Sequence, residues 1–356
     1  MTLESVRAGI NETIAEVIAW SLRHAAAGQH PDTGFYGEAF DKSTSRHHLR
    51  GKSIAGSFKL CWFGFKADLK ARWQCHLLSE YYRCKKLCDR CSAIQPMTSA
   101  PEPMTYKNMS DDAPYAGTCK DHDTYVRTAR RLTPWLAVEG FQFEHITFDM
   151  MHLVFLGIAP NHVPSVLKML KLFGFHYEEG ENDEKYLQRA SMGMKQDCKD
   201  HGLYLPKRLL TVSNCGSFGH DDYCELGSRF KGQHIKTMVW WVAQKVQEVT
   251  RGSEEPILIL LQLCTWSLAR AVEIMDSGGL VFTAGEATEF STLLLLHLRS
   301  TEVLASYCWS NFILCFKLRP KHHCLWHVAM DAGRNKLNPK LFHVWDDEKW
   351  LGCVKK

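Results

Sequence analysis

The chain has 356 residues, of which 45% are hydrophobic and 23% charged, with a formal net charge of +4. That composition supports a sizeable buried core and excludes wholesale disorder. The mild positive charge does not by itself require a polyanionic partner, although basic residues gather at Arg46–Lys52, Lys66–Lys86, Lys120–Arg131 and Arg229–Lys236. Fourteen scattered cysteines follow no short secreted pattern, and no cationic segment precedes an apolar core at the N-terminus. Reduced thiols in an intracellular, not secreted, protein are expected, some of them buried and some on metal.

Residues 3–27 predict an amphipathic helix, with Val6, Ile10, Ile14, Val17, Ile18 and Leu22 on one stripe and Gly28 at its C-terminal cap. Residues 28–56 read as loop. Phe58–Phe65 is apolar on both faces, as a central strand would be. Leu69, Trp73, Leu77 and Tyr81 then repeat at helical spacing. Prolines make residues 93–118 a loop, and a helix is expected over 121–132. Phe141–Phe148 alternates as a strand does, and it leads into Asp149-Met-Met-His152 and a helix reaching Leu170, broken near Pro160 and Pro164. The polar run at 178–184 is a candidate boundary. Beyond it helices are expected at 184–200, 230–250, 256–275, 285–299 and 300–315. Pro256–Ser267 reads as a buried helix too short to span a membrane.

Three carboxylates are candidates for catalysis. Asp68 and Asp149 each follow an apolar run, and Glu348 lies in a first helical turn that Asp346 could cap. Acids converging from separate elements are what a two-cation phosphoryl-transfer site requires, because Mg2+ or Mn2+ takes oxygen ligands. Any one of them could equally be a turn former or a helix cap. Cys88-x-x-Cys91 has the spacing of half a zinc site, with Cys84 in reserve. His322 and His327 could complete it. His323, four residues before His327, would share its helix face and competes with His322. Asp149 with His152, or Cys119 with His122, are further completing pairs. Buried thiols and ordinary core histidines are the alternative to a metal.

In order, an acid after an apolar run, a CxxC, a DxxH, PKHHxxxH and a final acid in WxxExWxG resemble the DDE transposases of the CACTA (En/Spm-like) group. ADLKARW (67–73), FDMMHLVFLGI (148–158) and DEKWLGCVKK (347–356) carry the resemblance. It implies a partial RNase H-like core, an α/β fold made by the N-terminal half and the C-terminal tip, interrupted by a large helical insertion. The segments would be a core with CxxC at 1–92, a loop at 93–120, a core extension at 121–177, a helical insertion at 178–319 and a C-terminal core element at 320–356.

The resemblance further implies DNA as partner, a possible homodimer, and cleavage and strand transfer through cations on Asp68 and Glu348. Asp149 and His152 would stand near that site. Related Transib and V(D)J recombinase chains bind one zinc through a CxxC and an HxxxxH, which matches Cys88, Cys91, His322 and His327. The family's first aspartate has no counterpart before Asp68, since Asp32 and Asp41 lie in loop-like stretches. An N-terminally truncated product with little strand-cleaving activity is therefore expected. A non-enzymatic, zinc-stabilised DNA-binding or scaffold protein is the alternative, and a zinc hydrolase using His322, His327 and Glu348 is a third reading.

Overall fold

The computed structural model describes residues 3–56, 58–97, 102–175, 178, 180–203, 210–216, 218–219 and 222–345. Two compact units divide the chain, one of residues 1–92 and 118–147, the other of residues 93–117 and 148–356. Among the described residues regular structure is helical, and extended segments meet only in isolated bridges. The expected α/β fold with an RNase H-like core is therefore corrected to an all-helical one.

The first unit holds α1 (Leu3–Ala27), α2 (Ser45–Leu49), α3 (Leu69–Cys75) and α4 (His122–Thr128). The expected strand at Phe58–Phe65 fails because its apolar side chains are not buried on two faces: Phe58 is 79% exposed and Phe63 49%. Two rings anchor the segment instead. Trp62 packs on Trp135 and Phe141, while Phe65 stands edge-on to His76 at 4.4 Å. Its one bridge, to Ile146, is held by the Phe65 N–H donating to His145 O at 2.9 Å.

Of the predicted stripe of α1, Leu22 packs against the aromatic cluster, but most of the rest does not. Ile10, Ile14 and Ile18 lie at the surface, and Ala15 and Ala19 face the aromatic cluster. Small side chains let the helix approach bulky rings closely, so here alanine marks the buried face. The helix predicted from Leu69 stops at Cys75, where Leu77 takes a left-handed conformation with φ 53°.

The second unit is a body of long helices: α5 (Ala159–Leu172), α6 (Asp183–Asp200), the short α7 (Val212–Cys215), α8 (Gly232–Val249), α9 (Pro256–Ser277), α10 (Ala284–Ser310) and α11 (Pro320–Asn335). The two helices expected at 285–299 and 300–315 are one, because the sequence between them contains no helix breaker. A π-helical turn over Met151–Ile158 runs directly into α5. Pro164 leaves the Pro160 carbonyl without its helical donor, and the Leu226 N–H fills the gap at 2.7 Å. The prolines therefore do not break the helix. Met151–Leu172 and Pro256–Ser277 are long and apolar enough to cross a membrane by length and composition alone. The first is almost wholly buried, whereas α9 shows Ile259, Leu263 and Trp266 at the surface.

Candidate metal centre

Cys88 and Cys91 are both buried, in a tetrapeptide pinned from several sides. The Arg90 N–H donates to Cys88 Sγ at 3.3 Å, the amide-to-sulfur bond that orients a metal-ready thiolate. Asp89 turns inward to a fork-to-fork pair with Arg72, at 2.7 and 2.6 Å, and Arg72 also donates to Ile146 O. Arg90 reaches Ile146 O and Glu144 O while lying over the Phe143 ring. Both residues between the cysteines thus hold the loop, and the two sulfurs are left on it. Cys84 and Cys119 are exposed, and His122 accepts the Phe143 N–H at 3.1 Å. Neither reserve thiol belongs to the buried pair.

Helix α11 carries the histidines. Pro320 suits the first turn, where its missing N–H costs nothing. His322 Nδ1 accepts the Arg319 N–H at 3.0 Å as a cap. Burial, helped by nearby His297, pushes its pKa down to about 3. His323 and His327, one turn apart, bring their Nε2 atoms to 3.2 Å. Packing fixes both rings: His323 stacks with Trp326 and stands edge-on to Tyr115, and His327 stacks with Phe148. Two imidazole nitrogens this close either share a proton or face one cation. His323, the competitor of the expected ligand His322, is therefore the histidine that pairs with His327. Spacing i, i+4 puts His323 and His327 on one helix face, which the i, i+5 spacing of His322 and His327 does not.

Cys88 and Cys91 in the first unit supply two buried thiols and His323 and His327 in the second two buried imidazoles, donors of the kind that could hold a metal ion.

Two of the expected catalytic acids, Asp68 and Asp149, accept hydrogen bonds from backbone N–H groups. Asp68 caps α3, its carboxylate accepting the Ala71 N–H at 2.7 Å. Asp149 accepts from the Met151, His152 and Val344 N–H groups, and its Oδ2 meets His152 Nδ1 at 2.5 Å. A carboxylate so engaged organises the entry to the π-helical turn. Glu348, with Asp346, falls outside the described residues. No family model, curated protein or solved structure matches this chain.

Proposed function

We propose that this chain is a non-catalytic, zinc-stabilised nucleic-acid-binding protein in which Cys88, Cys91, His323 and His327 hold one structural Zn2+. The facing Nε2 atoms of His323 and His327 carry the reading, because such a buried pair is costly without a cation or a shared proton. Two thiolates with two imidazoles make a closed tetrahedral set, the chemistry of a structural site rather than of one with an open position for substrate. That favours this reading over a zinc hydrolase.

The nucleic-acid half rests on charge. The chain's positive excess resides in the first unit, and Arg83, Lys85 and Lys86 are exposed just ahead of Cys88. Half-buried Tyr81 and Tyr82 stand beside them, with Arg83 over the Tyr82 ring at 5.6 Å. Cations alternating with planar rings suit a phosphate backbone and stacked bases. Two-cation strand transfer is no part of the proposal, since Asp68 and Asp149 are engaged by backbone N–H groups.

Metal analysis of the purified protein should find one zinc per chain. Cys91→Ser and His327→Ala should lose it, and His322→Ala should keep it. Zinc absent from the wild type, or lost with His322 alone, defeats the proposal. Affinity for DNA should fall with salt, and the triple variant Arg83→Ala/Lys85→Ala/Lys86→Ala should flatten that slope by roughly one for each phosphate it no longer neutralises.

A further inference from the structure

Within the second unit, helices α5, α9 and α10 bring His162, Cys264 and His297 together, each offering a ligand atom within 4.8 Å of the others. The three residues are buried, at 4%, 0% and 1% exposure. The His162 and His297 rings lie 5.2 Å apart, and Cys264 Sγ sits 3.6 Å from His297 Nδ1 and 3.3 Å from Thr301 Oγ1. Three ring nitrogens here have no hydrogen-bond partner: both of His162 and Nε2 of His297. Buried polar atoms in native proteins are nearly always satisfied, so three orphans beside one thiol need an occupant. His297 is also oriented as metal-bound histidines are, its Nδ1–H donating to Cys264 O at 2.9 Å and its Nε2 keeping a lone pair.

We propose that His162, Cys264 and His297 form a second metal site, closed and three-coordinate, that takes Cu+. The donor chemistry selects the ion. A thiolate with two imidazoles is soft enough for monovalent copper. Binding releases the thiol proton, and Cu+ with one thiolate and two neutral imidazoles leaves no net charge. Zn2+ would leave a net positive charge, and among the described residues no carboxylate is hydrogen-bonded to any of the three ligands to offset it. A three-ligand zinc site also keeps an open position for water or substrate, and the burial of all three residues provides no route for either. This site shares no residue with the Cys88 set, so either can fail alone.

The test uses the full chain, reduced and under anaerobic conditions, after saturation with Zn2+. Cu+ is presented as its bicinchoninate complex. The wild type should take one equivalent from the chelator and develop the ultraviolet thiolate-to-copper charge-transfer band. The same should hold for Cys119→Ser, which removes an exposed thiol, and for Cys88→Ser/Cys91→Ser. Cys264→Ser and His297→Ala should take up none while keeping wild-type far-ultraviolet circular dichroism. Should a variant unfold, the wild type and the Cys88→Ser/Cys91→Ser protein still decide. No copper uptake by these two proteins, or uptake of Zn2+ in place of Cu+ by the double variant, overturns the proposal.

Discussion

In the helical second unit Leu261, Leu268, Leu294 and Leu298 are fully buried along α9 and α10, where one helix packs on the next over many turns. In the first unit the corresponding place is taken by aromatic rings around Trp135 and Phe141 and by the buried Arg72–Asp89 pair. A long helix satisfies its own backbone and needs only an apolar face to dock. Loops do not, so the first unit spends charged side chains on carbonyls: Arg72 and Arg90 both donate to Ile146 O. A small, loop-rich unit with a modest core is the kind that natural proteins staple with metal or ionic contacts. The zinc proposed at Cys88 and Cys91 falls where that need is greatest.

The sharpest way to break this contrast is Arg72→Ala. It strands the Asp89 carboxylate in the interior and should cost ~3–5 kcal/mol, read from denaturant unfolding followed by tryptophan fluorescence. Arg72→Met/Asp89→Leu should recover most of the loss, and a double variant as damaged as the single would show that the pair does more than balance charge. Leu268→Ala is the matching change in the helical unit, with an expected cost of about 3 kcal/mol from the cavity it leaves. That loss should appear in far-ultraviolet circular dichroism and leave the near-ultraviolet aromatic signal of the first unit in place.

A pH series sharpens the contrast from another side. Burial, helped by the cations of Arg72 and Arg90, holds His76 well below the ordinary value of 6.5. Above that value the ring is neutral in both states and contributes nothing to the balance. As pH falls through 6.5 the unfolded chain takes up a proton that the folded ring refuses, so stability declines toward acid. His76→Asn should reduce that slope in urea melts between pH 7.5 and 5.5, and an unchanged slope would clear His76 of the effect. The smallest expected change is at Asp68. Asp68→Ala should cost about 1 kcal/mol through loss of the α3 cap, while Asp68→Asn, still a good cap, should stay within a few tenths.

The long helices of the second unit were legible because apolar period and length agree over many turns, as in Pro256–Ser277. Phe58–Phe65 misled because an apolar run does not say whether partners exist on both sides. Here Trp62 and Phe65, three residues apart, engage rings from Trp135 and Phe141. Cys88-x-x-Cys91 was visible as local spacing, and His323 was visible as a helix face. His162, Cys264 and His297 were not, since they stand on three helices and share no spacing. The acids show a different limit. Asp68 and Asp149 occupy motif positions, yet their oxygens are taken by backbone N–H groups, a use that sequence does not distinguish from catalysis.

The π-helical turn has a consequence for how this sequence can vary. A Cβ on Gly157 would fall 2.5 Å from Lys321 Cδ and 2.6 Å from His152 O. The Lys321 ammonium passes through that space to donate to His152 O at 2.8 Å and Leu156 O at 3.2 Å. Glycine at 157 is therefore held by two neighbours, the Lys321 stem and the His152 carbonyl, and a side chain there should stay excluded even in descendants that shorten residue 321. Gly157→Ala should be poorly tolerated, and Lys321→Ser should recover only part of the loss, because the His152 carbonyl still lies 2.6 Å from the new Cβ.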